Sequence, residues 1–150
     1  MRLADYLGKQ LKSEEVVDLI EANGLEVVYE IDRLREGAPD SYHVSDKSAG
    51  FQMLFDESQN VQTIFCYAQP ECGFSAVDPE IVGVPFLHSI ADVEAMGRTM
   101  ECEFSSREGI EFLGRELSWA KLTFGARAWH YEFENAALRK ITLMEGWSAP

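Results

Sequence analysis

Residues 128–134 decide the fold, and they read Ala128-Trp129-His130-Tyr131-Glu132-Phe133-Glu134. Aromatic residues alternate with polar ones, which is the period-two pattern of a strand with one buried and one wet face. Turn-like sequences flank this stretch at residues 125–127 and 135–137. Strand-like patterns continue beyond both turns, at residues 119–124 and 138–144. Three strands joined by tight turns predict an antiparallel meander.

A second strand pair lies upstream of the meander. Residues 51–55 and 61–67 alternate apolar and polar positions on either side of a polar turn at 56–60. This arrangement predicts a β-hairpin. Weaker strand patterns occupy residues 26–32 and 100–104.

Two intervening segments are predicted to be loops. Residues 33–46 contain glycine, proline and several acidic residues, which predicts an exposed loop. Residues 68–85 contain three prolines and two glycines. Long loops in small domains often bind ligands or partners, so this segment is a candidate binding loop.

Three segments are predicted to be helical, at residues 3–11, 13–23 and 89–97. The first carries leucines at helical spacing, and the other two begin with a serine that can cap the helix. Together the elements predict an α+β fold, with an antiparallel sheet of about five to seven strands, two N-terminal helices and one short central helix. The helices would cover one face of the sheet and leave the other partly wet. We expect a single domain over residues 1–150.

The composition is that of a folded protein, with 46% hydrophobic and 26% charged residues. No apolar run reaches the roughly 20 residues of a membrane-spanning helix, and the first residues lack the pattern of a signal peptide. The three cysteines, Cys66, Cys72 and Cys102, are an odd number at spacings that suggest no disulfide framework. A reduced, cytoplasmic protein is the simplest expectation.

The formal net charge is -13, and it is distributed unevenly. No lysine or arginine lies between Lys47 and Arg98. The same interval holds seven carboxylates: Asp56, Glu57, Glu71, Asp78, Glu80, Asp92 and Glu94. A surface of one sign attracts a cationic partner and repels nucleic acid and anionic membrane, so we predict that these seven residues bind a basic protein. An acidic balance that only maintains solubility is the competing explanation, but it does not account for this segregation.

The sequence contains no motif that indicates catalysis, a metal or a cofactor. The cysteines and histidines lack the paired spacing of a zinc site, and the glycine patterns of nucleophile elbows and phosphate-binding loops are missing. Cys66 lies in an apolar strand pattern and is expected in the core. His130, Glu132 and Glu134 should share one strand face, which leaves a small enzyme as an alternative, although alternation alone also predicts such a polar row. Trp147 is predicted either to fold back onto the domain or to serve as an exposed anchor.

The order of segments also carries a resemblance. The hairpin of residues 48–65, the turn and helix of residues 81–97 and the closing strands around Trp129 to Met144 follow one another. This pattern resembles the small α+β immunity proteins that are encoded beside bacterial polymorphic toxins. The resemblance implies a protein, monomeric or homodimeric, that binds and neutralises a cognate, often cationic toxin, such as a nuclease. It assigns no functional residue by position. A dimeric chaperone or adaptor for a secreted effector is the second alternative.

Overall fold

The computed structural model describes residues 1–30 and 41–146. Within these residues, eight strands form one antiparallel sheet in the order β1-β2-β3-β4-β8-β7-β6-β5. The strands are β1 Val27–Glu30, β2 Ser41–Asp46, β3 Phe51–Phe55, β4 Val61–Tyr67, β5 Glu103–Phe112, β6 Arg115–Phe124, β7 Arg127–Glu134 and β8 Ala137–Glu145. Each half of the sheet is a meander of four sequential strands, and the β4–β8 pair joins the two halves.

The helical elements lie before and between the two meanders. They are a 3-10 helix Leu3–Tyr6, α1 Glu14–Ala22, α2 Pro79–Val82 and α3 Ile90–Met100. Each α-helix begins at a side chain that accepts a backbone N–H: Ser13 for α1, Asp78 for α2 and Ser89 for α3. Such caps satisfy donors that the first helical turn would otherwise leave unpaired.

One face of the sheet, the covered face, forms the core. Cross-strand pairing forms a single row of six side chains over six strands, and five of the six are fully buried. The row consists of Leu122, the partly buried Trp129, Leu143, Ile64, Met53 and Val44. Val16 of α1, Val82 of α2 and Val93 of α3 belong to the same buried cluster. The Tyr131 hydroxyl donates to the carbonyl of Pro85 at 2.8 Å and so fixes the segment between α2 and α3 to the sheet.

The structure confirms the α+β class with one antiparallel sheet, whereas the predicted count of five to seven strands is wrong. Residues 41–46 were expected in a loop but form β2, because Asp46 at a covered-face position hides the apolar alternation. Asp46 is 7% exposed, and its carboxylate accepts from Ser48 Oγ and the Ala49 N–H. The strand predicted at residues 100–104 extends instead over Glu103–Phe112.

The expectation of two N-terminal helices and one central helix also requires correction. Residues 3–11 give only the 3-10 helix, because Gly8 adopts a φ of +81° and residues 8–11 pair with the turn before β4. α2, capped by Asp78 with Pro79 at its first position, falls inside the predicted loop of residues 68–85. Residues 31–40 and Trp147 lie outside the described residues. No helix in the described ranges is long and apolar enough to cross a membrane.

Candidate functional site

Three of the seven predicted contact residues stabilise a turn, a helix start or a contact between distant segments. Asp56 Oδ1 accepts from the N–H groups of Ser58 and Asn60, both at 2.9 Å, and shapes the β3–β4 turn. Asp78 caps α2. Glu71 forms a two-point ion pair with Arg139, in which Nε lies 3.1 Å from Oε2 and Nη2 contacts Oε1. These carboxylates contribute to the fold itself.

The other four predicted residues are exposed. Glu94 pairs with Arg98 one helical turn later, at 3.5 Å. Glu57, Glu80 and Asp92 have no ion pair within residues 1–30 and 41–146. The seven are not clustered at one place, because the Asp56–Glu57 turn and Glu71 lie at opposite ends of β4, roughly 20 Å apart by the rise of a strand. Their role in binding stays a prediction.

A groove with a volume of about 590 Å³ lies between the start of α3 and the β5–β6 hairpin. We call it the acidic groove. Its lining consists of Ser89, Ile90 and Ala91 from the start of α3, Glu108 and Gly109 from β5, Glu116 and Ser118 from β6, and Phe133 and Ala136 from β7 and the following turn. Its volume falls in the range of sites that take a ligand or a protein side chain.

The packing of α3 creates this groove. At Gly97 the helix lies so close to β6 that an added Cβ would be 2.9 Å from Leu122 Cδ2. The first turn of α3 passes farther along the sheet, where Ser118 and Phe133 are cross-strand partners. The groove therefore has an apolar floor, formed by Phe133, and carboxylates on the hairpin side.

The hairpin separates its charges between two faces. Glu116 lies directly opposite Glu111, and Glu116 and Glu108 line the groove. None of the three has a basic partner within 4.0 Å in the described part of the chain. The hairpin's arginines are on the other face: Arg107 pairs with Trp119, and Arg115 Nη1 lies 3.3 Å from Glu134. Like charges placed directly opposite each other destabilise a sheet, so this arrangement is unfavourable until a cation approaches.

These three glutamates were missed at the level of sequence. Arg107 and Arg115 interrupt the acidic residues of this segment, so the linear sequence has mixed charge. Alternation along the strands could have separated the glutamates from the arginines, because neighbours on a strand point to opposite faces. This separation can be predicted only when the register of β5 against β6 is known, and that register shifts between Arg107 and Ile110. No group of three or more His, Cys, Asp or Glu residues is arranged to hold a metal ion in residues 1–30 and 41–146.

His130, Glu132 and Glu134 do share a face, on the side of the sheet opposite the core, which we call the open face. The His130 ring stacks on Trp119 with centroids 5.3 Å apart, and burial lowers the pKa of His130, so its imidazole is neutral at pH 7. Glu132 lies 3.4 Å from Lys140, and Glu134 contacts Arg115 and Arg139. Each carboxylate of the row already has a cationic partner.

The cysteines occupy different environments. Cys66 is fully buried, as its strand pattern predicted, and burial raises the pKa of its thiol to about 12. Burial also raises the pKa of Cys102. Cys72 is exposed and adopts a φ of +50°. A buried, protonated Cys66 is a packing residue rather than a nucleophile.

No protein-family model matches this chain, and neither a curated protein nor a solved structure is significantly similar to it.

The Glu71–Arg139 pair has a measurable consequence for stability. Hydrogen bonds from Arg139 lower the pKa of the Glu71 carboxyl group in the folded state. The ionised carboxylate therefore stabilises the fold at pH values above its unfolded-state pKa. This contribution is lost as the pH falls through the lowered folded-state pKa. We expect Glu71→Gln to lower the free energy of unfolding by about 1 kcal/mol at pH 7. The difference should shrink towards zero below pH 4 in urea titrations. Glu57→Gln is the control and should have little effect at either pH, because Glu57 is exposed and has no ion pair in the part of the chain that the structure describes. An undiminished difference at low pH would show that the carboxylate charge is not responsible.

Proposed function

We propose that this chain is an immunity protein that binds and neutralises a cognate cationic bacterial toxin, such as a nuclease. One observation supports it above the others: Glu108 and Glu116 line one groove, Glu111 lies opposite Glu116, and none of the three has a basic partner among residues 1–30 and 41–146. The net charge of the protein is -13. A basic surface of a partner would relieve the repulsion between Glu111 and Glu116. The sequence resemblance to immunity proteins points to the same function.

Inhibition would be steric and electrostatic. A nuclease needs a basic cleft to hold substrate phosphates, and a carboxylate-lined surface can occupy that cleft in their place. The net charge would accelerate encounter, because oppositely charged surfaces steer diffusion, while contacts buried on the floor of the groove would slow release. In this mechanism the chain performs no chemistry.

The open face supports binding over catalysis. Glu132 and Glu134 are held by Lys140, Arg115 and Arg139, and His130 stacks on Trp119. A general base in this row would have to leave an ion pair before it could accept a proton from a substrate. Glu108 and Glu116 of the acidic groove have no such partner within the described ranges, so they are available for a cation.

The test is co-expression with the toxin domain that the immunity role places in the adjoining reading frame. We expect the wild-type chain to restore growth of cells that produce this domain, and the two purified proteins to form a 1:1 complex that is weakened by salt. Sustained toxicity without complex formation would refute the immunity role. A dimer of this chain holding a partly unfolded client would instead identify an adaptor.

A further inference from the structure

The tip of the β5–β6 hairpin exposes two large apolar side chains. Phe112, the last residue of β5, is 55% exposed, and Leu113 is 83% exposed. The two-residue loop of Leu113 and Gly114 is closed by the pair Phe112 and Arg115. Both loop residues have positive φ, +51° at Leu113 and +78° at Gly114. These values define a type I′ turn, the tight connection that matches the twist of a hairpin.

Leucine is a poor choice for this position if only folding matters. Its side chain is strained at positive φ, where asparagine or glycine is preferred, and it contributes no burial at this tip. The turn would be more stable with asparagine at position 113. The exposed leucine therefore has no stabilising role within the chain itself, and contact with another molecule explains it better.

The tip is also held rigidly. At its base, Arg115 pairs with Glu134 at 3.3 Å. Asn135 Oδ1 accepts from the Glu116 N–H at 3.1 Å, and the Asn135 N–H donates to the Glu116 carbonyl at 2.8 Å. These contacts fasten the hairpin to the β7–β8 turn. An anchor that is ordered before binding loses little conformational entropy on association.

We propose that Phe112 and Leu113 insert into an apolar pocket, rimmed by lysine or arginine, on the same partner that the acidic groove binds. This inference rests on the proposed function. The charge next to the tip identifies the rim on the groove side, since Glu111 and Glu116 form the cross-strand pair immediately behind the tip on that face. Phe112 and Arg115 lie on the other face, where Arg115 is already paired with Glu134. A second copy of this chain is a poor occupant, because its net charge of -13 would bring like charges together. The tip thus provides the apolar contact with the partner, and the carboxylates of the groove attract the basic residues around that contact.

The test uses Leu113→Asn with the purified toxin domain from the adjoining reading frame as the probe. We expect the midpoint of thermal unfolding to rise by about 2 to 4 °C, because asparagine suits the turn. We expect affinity for the toxin domain to fall about 30-fold or more, as for a central hot-spot residue. If Leu113 had only a structural role, a variant with higher stability would not lose affinity for the toxin domain. Higher stability together with lower affinity therefore indicates that Leu113 contacts the partner. Val28→Thr, at an exposed apolar position of β1 on the opposite edge of the sheet, is the control and should leave affinity unchanged.

The remaining outcomes separate the two proposals. If the wild-type chain binds the toxin domain and Leu113→Asn binds equally well, the anchor is wrong and the immunity role stands. If the wild-type chain does not bind the toxin domain, both are wrong. A wild-type dimer that dissociates on Leu113→Asn, measured by sedimentation velocity, would overturn the anchor in favour of a second copy.

Discussion

We expect Gly50→Ala to lower the free energy of unfolding by about 3 kcal/mol, because two costs add at this position. Gly50 has a φ of +84°, where an L side chain is strained. A Cβ there would also lie 2.2 Å from the Ser75 carbonyl oxygen and 2.7 Å from the Val77 nitrogen. Both contacts are to backbone, so no side chain can rotate away to make room. Urea unfolding followed by far-ultraviolet circular dichroism measures the loss.

The position of Gly50 explains why the strain from an added Cβ should disturb neighbouring segments of the chain. Its N–H donates to the Asp46 carbonyl at 2.9 Å, and its carbonyl accepts from the Tyr67 N–H at 3.0 Å. The glycine therefore lies where the β2–β3 turn, the end of β4 and the segment through Val77 meet. A displaced backbone at this point disturbs all three.

Gly24→Ala is the matched control. Gly24 also has a positive φ, +61°, but an added Cβ would meet nothing within 4 Å. This variant should lose only about 1 kcal/mol, the cost of the left-handed conformation. The difference between the two variants isolates the close approach at Gly50. Equal losses would show that the backbone around residues 75–77 moves aside at no cost.

The sequence predicted those strands whose two faces differ. β3, β4 and most of β7 alternate between buried and partly exposed residues, and β8 is recognised by its apolar content, with residues 141–143 all buried. The predicted limits of these four strands fall close to the observed ones. β5 lacks that contrast, because it is an edge strand and most of its residues are exposed. Apolar and polar residues alternate along a strand only when one of its faces is buried, so a strand exposed on both faces is hard to recognise from its sequence.

The candidate site was harder to predict than the fold, for a related reason. The sequence indicated acidic residues within one interval of the chain, but three of them stabilise the fold: Asp56 shapes a turn, Asp78 caps α2 and Glu71 pairs with Arg139. The acidic groove instead combines the start of α3 with three later strands, β5, β6 and β7. Which charges remain unpaired depends on pairing across the sheet, and a linear count of charges does not contain that information.

The second large effect concerns binding. We expect the triple variant Glu108→Lys, Glu111→Lys, Glu116→Lys to lower affinity for the cationic toxin domain by about 1,000-fold, because each reversal replaces an attraction at the groove with a repulsion. Association should slow about 10- to 100-fold at low salt. Stopped-flow kinetics at several salt concentrations measures both the rate and its salt dependence. The triple variant again places like charges opposite each other at positions 111 and 116, so its own urea unfolding should match that of the wild type and exclude unfolding as the cause. The single variant Glu111→Lys, which creates a cross-strand ion pair with Glu116, should be slightly more stable than the wild type.

A second triple variant separates local contact from the field of the whole molecule. Glu21→Lys, Glu57→Lys, Glu80→Lys changes the net charge by the same amount at exposed residues away from the groove lining. Long-range attraction falls equally in the two variants, so both should associate more slowly. Only the groove variant should also dissociate faster, since only it removes contacts made in the complex. Equal dissociation rates would place the toxin elsewhere on this surface, and a larger effect of the second triple would favour the acidic residues that the sequence indicated first.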